Sequence, residues 1–190
     1  MKIFRVRFVR YSAGGFLMLV LAACSSVLPQ PQADMTRHFT LAGPAETAAV
    51  SDGTRVQPVQ VAGHLRSRSM AVRISENEVI YLDDVVWAEA LADGITQTLR
   101  NRLSVIASDA DVSVQIQRCE LDRSAGNTVQ LIASYSITSG GSNGVVTRRG
   151  LFTASPRTWD GKDHGKLVAL LREAVVELAD RLVSQLSEKK

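Results

Sequence analysis

The sequence is poor in the residues from which most catalytic and metal sites are built. It holds three histidines, two cysteines and 5% aromatic residues in 190 positions. His38, His64 and His164 stand far apart, none at ligand spacing from a cysteine or another histidine, so no zinc motif is present. Isolated histidines of this kind read as surface or loop residues. The glycine cluster from Ser139 to Gly144 lacks the Lys-Ser/Thr that completes a phosphate loop, and it reads as a turn. Acidic residues are missing from positions 1–23, which carry Lys2, Arg5, Arg7 and Arg10. Beyond residue 24 no stretch approaches 18 uninterrupted apolar residues, so a second membrane segment is not expected.

What is present is core material. With 45% hydrophobic and 22% charged residues the chain can build one domain, or at most two small ones, and is neither disordered nor collagen-like. The formal charge of +3 resembles a nucleic-acid signature, but four of its bases precede a single apolar run. Without them the 22 Lys and Arg fall to 18 against 19 Asp and Glu, a net of −1. No nucleic-acid partner is expected.

That N-terminal region has a basic stretch, Met1 to Arg10, and then an apolar one, Ala13 to Ala23, too short for a lasting transmembrane helix. It reads as a secretory signal over residues 1–23. It ends in Leu21-Ala22-Ala23-Cys24, which looks like a bacterial lipobox: small residues fit the signal peptidase, and the thiol of Cys24 receives a diacylglycerol. The mature chain would then begin at Cys24 with a covalent N-acyl diacylglycerol, the only non-protein group expected. A two- or three-chain lipid holds a protein on a membrane far more firmly than one chain, since each buried methylene adds about 0.8 kcal/mol. Ser25 follows the cysteine where an Asp would act as an inner-membrane retention signal in enteric bacteria. The expected location is the inner leaflet of the outer membrane, facing the periplasm. Residues 24–36 are rich in Ser, Pro, Gln and Ala and read as a tether, with reach limited to about 45 Å at roughly 3.3 Å per residue. Residues 37–190 form the expected single domain.

Within it, Arg37 to Leu41 reads as a short first strand and Val56 to Leu65 as a weak second one. Met70, Val72 and Ile74 alternate with Ala71, Arg73 and Ser75, predicting a strand with one apolar and one wet face. After a turn at Glu76-Asn77-Glu78, residues Val79 to Leu82 return as a hairpin partner. Asp83 and Asp84 are then placed to cap a helix whose stripe is Trp87, Leu91, Ile95, Leu99 and Leu103, running to about Ile106. Three strands follow: Val112 to Leu121 with a bulge near Arg118, Val129 to Ile137, and Gly144 to Thr153. Their connections, Ser124 to Asn127 and Gly140 to Gly144, carry the Gly and Asn of antiparallel hairpins. A last helix, with Asp160 as its cap, presents Leu167, Leu170, Leu171, Ala174, Leu178, Leu182 and Leu186, and Lys189 and Lys190 complement its dipole. The expected fold is α+β: a two-layer sandwich of a mostly antiparallel sheet with two long amphipathic helices on one face.

Searching this frame for chemistry returns little. Asp83-Asp84 could serve as acid and base, but adjacent carboxylates at a helix start are more often caps. Cys119 has no mate once Cys24 is lipidated and reads as a buried, inert thiol. Trp87 in an apolar stripe reads as core. The sequence offers no support for an enzyme.

The passage Val85-Val86-Trp87-Ala88-Glu89-Ala90-Leu91, continuing through Leu99-Arg100-Asn101-Arg102-Leu103, resembles the Trp-Ala-Glu-Pro-Leu helix of the ABC-type transport auxiliary lipoproteins, the PqiC-like family. Ala90 stands where that family commonly has Pro. The lipobox, the Phe39-Thr40-Leu41 strand and the segment ending in Tyr81-Leu82 follow in the same order, so the likeness spans about residues 36 to 188. It implies a non-catalytic subunit of an MCE-type lipid transport system, with an MCE-domain protein, a permease and an ATPase as partners. In that setting Trp87, Ala88, Glu89 and Leu91 are expected to be structural. Partner contact is assigned to the exposed sheet face and hairpin tips, with Arg148 and Arg149 as candidate rim residues. Two other classes compete. One is a lipopolysaccharide-assembly lipoprotein resembling LptE, or an activator of cell-wall synthases; the other is a periplasmic hydrolase, which would need a convergent site the sequence does not offer.

Overall fold

A computed structural model describes residues 34–43, 53–106, 108–141 and 144–187. The chain divides into two compact units, Met1–Met35 and Thr36–Lys190, and the elements below belong to the second. The lipobox residues Leu21, Ala22 and Ala23, together with Cys24, lie outside the described residues, as do Lys189 and Lys190.

The elements are β1 (Arg37–Phe39), β2 (Thr54–Val56), β3 (Gln60–Val61), a 3-10 turn (Gly63–Arg66), β4 (Ser69–Ser75), β5 (Glu78–Trp87), α1 (Leu91–Leu103), β6 (Ala110–Asp122), β7 (Thr128–Gly141), β8 (Gly144–Thr153), β9 (Arg157–Thr158) and α2 (His164–Ser187). Nine strands form one mixed sheet, six of them in the order β1-β5-β4-β6-β7-β8, with β2 and β3 beside β6 and β9 beside β7. The long ladders, β4 with β5, β6 with β7 and β7 with β8, are antiparallel. The parallel ones are short: β1 on β5, and β2, β3 and β4 in turn along the edge of β6 that β7 leaves free. The fold is the expected α+β sandwich.

Residues 110–153 realise the sequence pattern most directly. Val112, Val114 and Ile116 stand opposite Ile137, Tyr135 and Ala133, and all six are buried. The register shifts between Ile116 and Arg118, the expected bulge, so Cys119 and Leu121 return to the core face. The turn between β6 and β7 uses positive φ at Gly126 and Asn127. Tyr135 faces Gly150 across the β7–β8 ladder, and a methyl group on Gly150 would overlap the Tyr135 hydroxyl. The missing side chain lets the phenol ring lie across β8.

Several boundaries differ from the sequence reading. Asp83 and Asp84 cap nothing, because β5 continues through them to Trp87, burying Val85 and Trp87 two apart on one face. The four-residue interval from Trp87 to Leu91 extends the helical rhythm by coincidence. Helix α1 therefore has 13 residues, and its N-cap is Ala90, in extended conformation with no side-chain cap bond. The span read as one strand from Val56 to Leu65 divides into β2, β3 and the 3-10 turn, with Leu65 buried. In β4 the face expected to be wet is covered, since Ala71 and Arg73 are buried along with Met70 and Val72. Asp160 is not the cap of α2. Asp163 takes that place: its carboxylate accepts the Gly165 amide at 2.8 Å, and its carbonyl accepts the Trp159 indole N–H at 2.8 Å. Asp160 instead accepts the amide of Lys162 in the preceding turn.

Both helices close the core. Leu91, Ile95, Leu99 and Leu103 of α1 meet Leu167, Leu171, Val175, Leu178 and Leu182 of α2 in one apolar cluster with the inner residues of β6 and β7. Burying each such side chain contributes roughly 1.5–3 kcal/mol. The buried Thr96 hydroxyl is satisfied twice: it donates to the Ala92 carbonyl at 2.6 Å and accepts the Val59 amide at 2.9 Å, joining α1 to the β2–β3 segment. Arg172 of α2 donates to the carbonyls of Leu41 and Thr40, fixing the chain just after β1.

Candidate docking surface

The Trp-Ala-Glu passage is a corner between a strand and a helix. Trp87, the last residue of β5, is buried, and its amide donates to the Arg68 carbonyl at 2.7 Å. Ala88 is exposed, and its amide donates to the Phe39 carbonyl at 2.8 Å, which extends the β1–β5 pairing by one bond. Leu91 begins α1 and is buried. Glu89 lies over the first turn of that helix: a methyl group on Gly94 would come within 3.0 Å of its Oε1 and 3.1 Å of the Leu41 Cβ. Among the described residues this Oε1 is buried without a hydrogen-bond partner, at the N-terminal end of α1. These four residues hold β1, β5 and α1 together.

Charge is distributed unevenly over the sheet face that points away from the helices. At the β4–β6 contact, Arg73 stands in register with Asp122, and the residues beyond the bulge alternate as Arg118, Glu120 and Asp122 on that face. Glu120 has no exposed side-chain surface. Its carboxylate accepts Arg73 Nε at 2.6 Å, pairs with Arg118 Nε at 3.3 Å and lies 2.9 Å from His64 Nε2. Asp122 pairs with Arg118 at 3.5 Å and accepts the Ser124 hydroxyl at 2.6 Å and the Ala125 amide at 3.1 Å. The Tyr81 hydroxyl donates to the His64 carbonyl, holding the 3-10 turn over the cluster. Two acids and two arginines thus satisfy one another, with His64 alongside, and none of these charges is left over for a ligand. His64, expected as an isolated surface residue, is part of this network. The signal for it was legible in principle: three charged residues at alternate positions of a strand whose other positions are Cys119 and Leu121.

At the far end of the sheet the arrangement is the reverse. Strand β8 pairs with β7 along one side only and ends the sheet, so its other edge is open among the described residues. Val145 (75% exposed), Val146 and Leu151 (77% exposed) stand out along it. Arg149 is exposed and Arg148 half-buried, and neither has an ion pair or side-chain hydrogen bond among the described residues. The expected rim residues therefore sit on the open edge strand of the sheet. The Gly140-to-Gly144 stretch has the Gly-x-Ser-x-Gly spacing of a nucleophile elbow, but it joins two antiparallel strands. An elbow requires a strand-to-helix turn.

Cys119 is fully enclosed, and burial, aided by the neighbouring Glu120, pushes its thiol up to about 12. It is protonated and unreactive in the folded chain. Among the described residues no group of three His, Cys, Asp or Glu side chains could hold a metal ion, and no helix is long and apolar enough to cross a membrane.

A family model described as the ABC-type transport auxiliary lipoprotein component matches residues 39–183. No curated protein matches. Among solved structures, an uncharacterized protein is similar at 13% identity and a TM-score of 0.61, covering 79% of this chain and 97% of its own. A protein of Xanthomonas campestris assigned to the family model DUF330 is similar at 18% identity and a TM-score of 0.58, covering 78% and 90%. At those identities the two structures speak for the shared fold.

Proposed function

Because the chain belongs to the ABC-type transport auxiliary lipoprotein family, we propose that it is a non-catalytic subunit of an MCE-type intermembrane lipid transport system. In this reading it is held by a lipid on Cys24 to the inner leaflet of the outer membrane. From there it docks the periplasmic MCE component, whose permease and ATPase lie in the inner membrane. The observation that carries the reading is the family match over 39–183, which spans both the strand-to-helix corner and the open edge strand. The lipobox Leu21-Ala22-Ala23-Cys24 supports the anchor, and Ser25 supports outer-membrane sorting. A short tether of residues 24–36 favours capture of a neighbour near the membrane. The absence of sequence motifs for catalysis, and the internal neutralisation of the Glu120 cluster, agree with a binding role.

The test is mass spectrometry of what co-purifies with the tagged, lipidated chain from gently solubilised envelopes. Recovery of an MCE protein with its permease and ATPase is the expected result. Recovery of an outer-membrane barrel or a wall synthase instead would move the chain to lipopolysaccharide assembly or to wall-synthase activation. For the location, fractionation of Ser25→Asp beside wild type should move the mutant to the inner membrane; unchanged outer-membrane recovery would remove the argument from Ser25.

A further inference from the structure

We infer that the open edge of β8 receives an extended segment of the docked subunit as an added strand, and that this segment carries carboxylates between apolar residues. The inference rests on the docking reading above and specifies its contact. Among the described residues the ten of Gly144–Thr153 pair only with β7, so alternate backbone N–H and C=O groups of β8 point away from the sheet. An open edge of this length is a template for another strand unless something blocks it.

The side chains along the edge define what would fit. On the face away from the helices, Val145, Thr147, Arg149 and Leu151 follow one another at alternate positions, opposite Gly140, Thr138, Ser136 and Ser134 of β7. On the other face Val146, Arg148 and Phe152 do so, interrupted by Gly150. Each face thus offers an apolar residue, an unpaired arginine and a second apolar residue. The complementary segment has an acid near the middle and apolar residues towards both ends.

Two other occupants fit less well. In a second copy, pairing of two β8 strands about a two-fold axis at nearly full overlap centres on Arg148 or on Arg149 and sets that arginine opposite its own copy, and like charges directly opposite are destabilising. A lipid surface would take up the valines at the hairpin tip. Leu151 lies six residues from Val145, about 20 Å along the strand, whereas interfacial insertion reaches only about 5–10 Å. A strand laid along β8 covers both ends.

The test uses the full lipidated chain in envelopes, with a photo-crosslinking residue at Leu151 or, as control, at the exposed Arg181 of α2. The expected result is that Leu151, and not Arg181, captures the transport subunit on an extended acidic segment. Capture should fall at least tenfold in Arg148→Glu combined with Arg149→Glu, and in Leu151→Glu built with the crosslinker at Val145. Amides of residues 145–153 should gain hydrogen-exchange protection when the purified periplasmic part of that subunit is added. Capture from Arg181 alone, or capture indifferent to the charge reversals, overturns the strand inference and leaves the docking reading intact. If neither position captures a transport subunit that also fails to co-purify, the docking reading falls and the inference falls with it. A crosslink between two copies at Leu151 would show self-pairing and overturn the inference.

Discussion

Two pairs of arginines on the same sheet have opposite fates. Arg73 and Arg118, at the β4–β6 contact, are taken up by Glu120 and Asp122. Arg148 and Arg149, on β8, meet no acid among the described residues. The first pair contributes to holding the sheet together. The second makes no such bond among the described residues, which leaves its charges to a partner. A charge that the chain has compensated internally informs about stability, and an uncompensated one on an open edge informs about partners.

Glu120→Ala breaks this contrast most sharply. It leaves two arginines facing a buried site without their shared carboxylate, and the expected loss is about 3–5 kcal/mol in urea unfolding. Arg148→Glu combined with Arg149→Glu should stay within about 0.5 kcal/mol of wild type in the same measurement. Comparable losses in both would remove the distinction. Gly150→Ala comes next. Its methyl group must displace the Tyr135 ring, so about 1–3 kcal/mol should be lost, and the same substitution made in a Tyr135→Ser chain should cost less than it does in the wild type.

Glu177 provides a smaller effect with a pH signature. Partial burial pushes its carboxyl up, but hydrogen bonds from Arg157 and from the Ser155 hydroxyl and amide outweigh this and hold it below the usual range. A depressed folded value means stability present above the ordinary value near 4.5 and lost as pH falls. Glu177→Gln should therefore be less stable by up to about 1 kcal/mol at pH 7, with the gap closing below pH 4. A gap that persists in acid would show that the charge is not the cause. Cys119 behaves in the other direction, since a raised thiol contributes stability that is full below its ordinary value near 9 and is lost as pH rises towards about 12. At pH 8 iodoacetamide should leave Cys119 unlabelled until the chain unfolds; labelling of the native chain would contradict its burial.

Much of this was legible in the sequence where one local rule operates at a time. Strict alternation and Gly/Asn turns locate β6, β7 and β8, and the parity change at Arg118 locates the bulge. The start of α1 was not legible because Val85, Trp87, Leu91 and Ile95 satisfy a strand rule and a helix rule in succession. Only the packing of β1 against β5 decides where one gives way to the other. The buried charge cluster was hidden for a different reason. It brings together residues 64, 73, 118, 120 and 122 from three segments, and from within β4 alone Arg73 reads as the wet side of an amphipathic strand. Neutralisation between strands has no periodicity to detect.

The strand order carries a mechanical consequence. β1 and β8 lie at opposite ends of the six-strand path, five spacings or about 24 Å apart. Tension entering ahead of Arg37 and resisted at β8 would cross every ladder in series; the first it meets is the three-residue parallel pairing of β1 with β5, while the two-residue pairing of β4 with β6 further in is braced by the Arg73–Glu120 ion pair. Arg172, reaching back from α2 to the carbonyls of Leu41 and Thr40, is the clamp across the β1–β5 link. In single-molecule pulling, Arg172→Ala should lower the force at which β1 peels away while leaving the rest of the domain to yield as before. The chain would then behave as a mooring whose breaking point lies at its first strand.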